Sequence, residues 1–292
     1  MKTKLFRTSS ILSLTAIILI SSCRDEERIT VQDTQDISEE ALTESYFQDL
    51  DDMAAVAIQS PSETEFNGGR EKATIEVNDN RFRCDGDPIL VTFERLAGST
   101  TAVPKGRLTV DFGTTGCTDL RQNTRKGKMI FTYNGRRFMP GSTVVTTLEN
   151  YSINGIELEG VRTSTNVQTS TSDAPEFTVV LEDGVARFED GREATRESTI
   201  TWSWIRAANP IDDQLVVAAG SSAEGVSRNG RSYEVSLLEE LVFKRFCGLA
   251  VSGIKRYVID EEKEITIDYG DGTCDREVTI TVNGVTRDVS VD

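Results

Sequence analysis

Lys128–Gly135 reads KMIFTYNG, and Glu277–Gly284 reads EVTITVNG. Each is a run of β-branched and aromatic residues in near alternation that stops at Asn-Gly. That dipeptide tolerates the positive φ angles of the tightest hairpin turns, so each run reads as a strand turning back on a neighbour. Working outward, Asn154-Gly155, Asp183-Gly184 and Asn229-Gly230 repeat the signal. Between the turns, strands are predicted at Ala73–Val77, Ile89–Glu94, Arg107–Phe112, Thr143–Leu148, Ile156–Thr165, Phe177–Leu181, Val185–Phe188, Thr199–Ile205 and Gln214–Ala219. Further strands are predicted at Arg231–Leu238, Leu241–Phe246, Leu249–Ile259, Glu264–Tyr269 and Thr286–Val291. No alternation of strands with helices appears, and no Gly-rich phosphate loop precedes a helix. The expected class is all-β: a long antiparallel meander forming a curled barrel or a sandwich, with one N-terminal amphipathic helix.

The two opening runs belong to a longer internal repeat. Leu108–Gly113 (LTVDFG) precedes Cys117, and Ile265–Gly270 (ITIDYG) precedes Cys274, at the same distance. Upstream of each stands another cysteine, Cys84 and Cys247. The repeat therefore covers 84–135 and 247–284, and it favours the pairings Cys84–Cys117 and Cys247–Cys274 among the three connectivities that four cysteines allow.

The start of the chain decides the redox compartment. Lys2, Lys4 and Arg7 precede an apolar run, Ile11–Ile20, which is too short to span a membrane and has the order of a secretory leader. Ile20-Ser21-Ser22-Cys23 then resembles a bacterial lipobox, whose cysteine receives the lipid anchor. The expected boundaries are a leader at 1–22, an acidic tether and helix at 23–70, and an antiparallel domain at 71–292. Arg24-Asp25-Glu26-Glu27 resembles the acidic tag that sends lipoproteins to the outer face of the outer membrane. Outside the cytoplasm, the remaining cysteines are expected to be oxidised.

Asp36–Ile58 has helical periodicity. Ile37, Ala41, Leu42, Phe47, Leu50, Met53, Ala54, Ala57 and Ile58 form one stripe, which is expected to be its packing face. Glu39, Glu40, Glu44, Asp49, Asp51 and Asp52 are read as a solvated outer face, with Asp36 or Ser38 as the cap and Arg24–Gln35 as a flexible tether.

The lipobox, this acidic helix, TVDFGTTGC (Thr109–Cys117), NYSINGIELEG (Asn150–Gly160) and ITIDYGDGTCD (Ile265–Asp275) together resemble a group of Bacteroidota exported lipoproteins. The resemblance spans most of the mature chain. It implies an all-β exported lipoprotein and supplies no catalytic residues.

Charge and composition narrow the function. The net charge is −16, and loss of the three leader cations makes it −19. Such a chain repels phosphate backbones, so nucleic acid is not an expected partner. Histidine is absent, which removes Ser-His-Asp and Cys-His catalysis and histidine metal sites. Paired carboxylates remain chemically available for a hydrolase. Asp268, Asp271 and Asp275 contain the oxygen ligands of a calcium loop but lack its spacing, so a clamped turn is the preferred reading and no metal or cofactor is expected. Trp202 and Trp204 stand two apart and so share one strand face. Exposed, they would stack on a sugar ring; buried, they would be core, which polar Thr201 and Ser203 on the opposite face favour. Thr143–Val167, dense in Thr, Ser and Asn, reads as an ordinary exposed sheet face. The expected role is non-catalytic binding or structural work at the cell envelope, with the membrane as partner through Cys23 and a glycan or envelope protein as the other.

Overall fold

The computed structural model describes residues 29–60, 72–245, 247, 249–275 and 277–290. The leader, Cys23 and the acidic tag lie outside the described residues. One helix, α1 (Val31–Gln59), precedes the strands β1 (Lys72–Glu76), β2 (Arg83–Cys84), β3 (Asp87–Pro88), β4 (Leu90–Arg95), β5 (Lys105–Asp111), β6 (Cys117–Thr118) and β7 (Thr124–Asn134). They continue as β8 (Thr143–Ile153), β9 (Ile156–Asn166), β10 (Glu176–Arg187), β11 (Glu193–Ile205), β12 (Gln214–Val217), β13 (Ser222–Val226) and β14 (Ser232–Leu237). The last are β15 (Leu241–Lys244), β16 (Ala250–Ile259), β17 (Lys263–Asp271), β18 (Glu277–Val282) and β19 (Val285–Ser290).

All but β2 and β3 belong to one antiparallel sheet. From β1 it runs through β4, β5, β7, β8, β9 and β10 to β11. There it divides. β12 and β13 both pair with β11, β12 continues to β15 and β13 to β14, and the two branches rejoin at β16. β17, β18 and β19 complete the meander. No pairing joins β1 to β19 among the described residues, so the sheet curls without closing.

Two of the five Asn-Gly or Asp-Gly signals are two-residue hairpins. Asn154-Gly155 joins β8 to β9 with φ +52° and +82°, and Asn283-Gly284 joins β18 to β19 with φ +46° and +86°. Asp183-Gly184 is not a turn. It is a bulge inside the single strand β10, which replaces the two strands expected there. Asp183 takes a left-handed φ of +53° and its amide is held by Glu197 Oε1 at 2.8 Å, so the pair bends the strand instead of reversing it. A similar bulge at Gly127 bends β7. Its φ is +76°, and a Cβ there would lie 2.1 Å from the Asn150 carbonyl oxygen. After Asn134-Gly135 the chain takes a longer loop to β8. β13 was not anticipated, because Ser222–Val226 contains only one β-branched residue.

The helix starts earlier than expected. Thr30 is its cap: Thr30 Oγ1 accepts from the Asp33 amide at 3.1 Å, and Asp33 Oδ2 accepts from the Thr30 amide at 2.7 Å. This reciprocal pair satisfies two donors that a helix end leaves open. The supposed tether is therefore helical from Val31 onward. α1 lies in the curl of the sheet. Its C-terminal half buries Phe47, Leu50, Met53, Ala54, Ala57 and Ile58 against Val91, Phe93, Leu108, Met129 and Phe131. A second, smaller core of Tyr233, Val235, Tyr257, Ile259 and Ile265 lies near the helix start, touched by Ile29 and Ile37. Ala41 and Leu42, expected in the packing stripe, are exposed.

The cysteines pair as the repeat suggested, Cys84 with Cys117 and Cys247 with Cys274, at Cα separations of 5.0 and 5.4 Å. Each bridge closes a loop of similar length, with sequence separations of 33 and 27. By the chain-entropy relation each stabilises the fold by about 3.5 kcal/mol. Cys84→Ala with Cys117→Ala should lower the denaturation free energy by about that amount, measured by urea titration; a loss under about 1 kcal/mol would contradict the assignment.

Candidate functional site

The acids of α1 do not face solvent as a set. Asp33, Asp36 and Glu40 are buried, and Glu44, Asp49 and Asp51 are half-buried. Asp33, Asp36, Glu40 and Glu44 recur every three or four residues, so they line one helix face. The sheet meets that face with cations. Asp33 pairs with Arg231 (2.9 Å) and with Lys263, and Asp36 with Arg231 (3.1 Å). Glu40 accepts from Arg196, from Lys255 (3.3 Å) and from the Tyr257 hydroxyl (3.0 Å). Glu44 pairs with Arg196 Nε (2.9 Å) and Arg162 Nη2 (3.4 Å), and Asp51 accepts from Arg162 Nε (2.7 Å). Asp49 accepts from Arg125 Nη1 (2.6 Å), which also donates to the Tyr151 hydroxyl (2.7 Å), while Arg125 Nε donates to Asp119 (3.2 Å).

The arginines come from inward positions of the strands. Arg125, Arg162 and Arg196 stand in phase with buried neighbours such as Met129, Leu158 and Ala194. Paired charges of this kind are costly to desolvate, and losing one partner strands the other. Burial alone would push the Glu40 carboxyl up, but Lys255 and Arg196 outweigh it and hold it below its ordinary range. Burial also opposes ionisation of Asp33, where bonds from Lys263, Thr30 and Arg231 win and bring it down to about 2. At Asp51 burial wins over Arg162, and the carboxyl is pushed up to about 6.

Between the two cores the middle of α1 leaves a cavity of about 270 Å³. Its sheet wall is largely apolar: Val179, Ile200, Leu215, Val217, Leu237 and Phe243, with Trp202 among them and Ser221 and Ser222 beside them. Its helix wall is Glu40, Glu44, Gln48, Asp51 and Asp52, and Arg137, Arg162, Arg196 and Lys255 complete the lining. A charged helix face cannot pack dry against an apolar sheet, so the wall stays open. Trp202, Leu215 and Phe243 also line a shallower cavity of about 450 Å³ that reaches Trp204, Pro210 and Lys244. The two cavities thus share one aromatic wall.

The tryptophans divide between the two readings. Trp202 is half-buried and stacks on Phe177 with ring centroids 4.8 Å apart, so it is neither a free platform nor sealed core. Trp204 is 38% exposed, but Arg206 lies 4.8 Å from its ring centroid and its Nε1 donates to Asp213 Oδ2 at 2.9 Å. The acids of the Gly- and Asp-rich turn are engaged locally. Asp271 and Asp275 both accept from Thr273 Oγ1 (2.9 and 2.8 Å), and Asp268 accepts from the Gly270 amide (2.9 Å). Among the described residues, no cluster of three acids or cysteines could hold a metal ion. The sequence reading missed Arg162, Arg196 and Arg137. The available signal was arginine at inward strand positions, matched to acids at helical spacing.

No protein-family model matches the chain, and comparison with curated proteins and with solved structures finds no match in either.

Two outcomes follow. Glu40→Ala should cost about 3 kcal/mol in denaturant titration, because buried Arg196 keeps only Glu44 and half-buried Lys255 loses its anion. Combining it with Arg196→Met should cost less than the two single changes summed. The pH dependence has two opposed limbs. Asp33, depressed in the folded state, contributes stability above its unfolded value of about pH 4, and that contribution is lost as the pH falls toward 2. Asp51, raised to about 6, favours the folded protein as the pH falls through 6. Denaturation midpoints should therefore rise from neutral pH to about pH 5 and fall below about pH 4, and Asp51→Asn should flatten the upper limb.

Proposed function

We propose that this chain is a lipid-anchored binding protein of the bacterial envelope, tethered through Cys23 at the outer membrane and facing the extracellular side. Its ligand site is the cavity between α1 and the curled sheet. The observation that carries this reading is the mismatch across that cavity, with an apolar wall containing Trp202 opposite a charged helix face. Protein interiors are close-packed, and a wall of this kind is ordinarily filled by side chains. Small-molecule ligand cavities are mostly apolar concavities with a few polar groups, and this one lies just below their usual size range.

A glycan platform is less well supported. It needs open indole faces, whereas Phe177 stacks on Trp202 and Arg206 stacks on Trp204. A carboxylate-based hydrolase finds two acids at the cavity that burial raises, Asp51 and Asp52, but they are adjacent on one helix, and Glu40, Glu44 and Asp51 are all tied to cations there.

Trp204→Phe leaves Trp202 as the sole indole reporter. In that variant, an uncharged apolar dye should shift Trp202 emission in a saturable way, and Leu215→Glu should abolish the shift. If no apolar compound perturbs Trp202, the cavity is not a binding site. For the address, Cys23→Ala should move the protein out of the membrane fraction, and protease treatment of intact cells should digest the unaltered protein.

A further inference from the structure

Resting on that reading, we infer that the ligand is a single-chain amphiphile with an oxyanion head, a carboxylate or a phosphate. The argument begins with which charges in the cavity are already used. Glu40 has three donors, Asp51 has Arg162 Nε, and Glu44 lies within ion-pair distance of Arg162 and Arg196. The acids are therefore engaged by the protein itself, Asp52 the most loosely, since its side chain turns largely to solvent and lies 3.9 Å from Arg81. The cations are not used up. Arg162 is almost fully buried, yet its Nη1 has no hydrogen-bond partner among the described residues. A buried guanidinium donor without an acceptor is costly, so an acceptor arriving there restores a charge-assisted bond.

Arg137 supplies a second cation, on which Asp52 and Asp51 act at longer range than an ion pair. It lines the same cavity, and none of the ion pairs among the described residues involves its side chain. Its guanidinium instead lies 5.3 and 5.5 Å from the ring centroids of Phe138 and Phe177. Aromatic faces hold a guanidinium in place without consuming its N–H groups, which leaves them available to an oxyanion. Phe177 in turn stacks on Trp202, so this cation and the apolar wall meet at one aromatic pair. The head of the ligand takes the Arg137 and Arg162 side of the cavity. Its chain lies along Ile200, Leu215 and Phe243, toward Trp204 and the shallower cavity beyond. A neutral apolar ligand would leave Arg162 Nη1 unpaired, and a cationic head would face two guanidinium groups.

The test uses the full mature chain with Cys23→Ala, to dispense with detergent, and Trp204→Phe, so that Trp202 reports alone. Decanoate, decyl phosphate, decanol and decyltrimethylammonium are titrated below their micelle concentrations. At least one oxyanion amphiphile should bind about ten-fold or more tightly than decanol, the effect of a single charge-assisted bond. The ammonium should bind more weakly than decanol. The tighter of decanoate and decyl phosphate identifies the head. Arg137→Gln should bring the preferred oxyanion within about two-fold of decanol, both measured on that variant. Arg162→Lys keeps the charge but loses the forked donor, and should act in the same direction; if it fails to fold, Arg137→Gln carries the test. Equal binding of all four compounds, or a preference that survives Arg137→Gln, overturns the oxyanion assignment and leaves the cavity reading intact. No binding by any of them removes both.

Discussion

Glu40 meeting Arg196, Lys255 and Tyr257 is the constraint on which the remaining architecture depends. One carboxylate on a helix is shared by a guanidinium from β11 and an ammonium and a phenol from β16. Those strands lie on opposite sides of the divided region of the sheet. For both to reach one side chain, the sheet has to curl around the helix. Arg125 and Arg162 toward one end, and Arg231 and Lys263 toward the other, extend the same demand along the helix. The curl is fixed by electrostatics at a helix axis as much as by the twist of the strands.

This solution has a cost in packing, and the cavity is where it falls. A helix with Phe, Leu and Met along its full length would have joined the two cores into one. Instead the apolar side chains are concentrated after Tyr46, and the middle of the helix carries acids. Buried ion pairs contribute little net stability compared with hydrophobic packing of the same volume. A chain that keeps them opposite an apolar wall gives up the stability that apolar packing along that wall would supply.

Much of the fold was legible from alternation and turn residues. Strands such as Ile156–Asn166 and Glu277–Val282 declare themselves because β-branched residues sit between tight turns with positive φ. The disulfide pairing was legible because the repeat brings each cysteine pair into equivalent loops. The orientation of α1 was not. Charged residues on an amphipathic helix are ordinarily solvated, and nothing within the helix reveals that a second element presents matching cations. The signal was distributed over the whole chain, in Arg125, Arg162, Arg196 and Arg231, and only the register of the strands makes it coherent. Asp183-Gly184 misled for a local reason: a left-handed residue serves a bulge as well as a turn, and dipeptide chemistry does not separate them. The candidate site was legible only at Trp202, since its cationic lining required the helix to be placed first.

The bond between Asp33 and Lys263 joins residues 230 positions apart, and that between Glu40 and Tyr257 joins residues 217 apart. The helix is synthesised before every strand that forms its seat, and the partners on β16 and β17 come more than 200 residues after the acids they meet. Closing such long loops precedes any reward from the contacts they make, which slows folding in proteins dominated by non-local pairs. Until β16 and β17 exist, the acids from Asp33 to Glu44 have at most part of their cationic seat, and the apolar wall of β10 and β11 has no lid. The order of synthesis therefore gives the chain an interval in which its stickiest surface is uncovered.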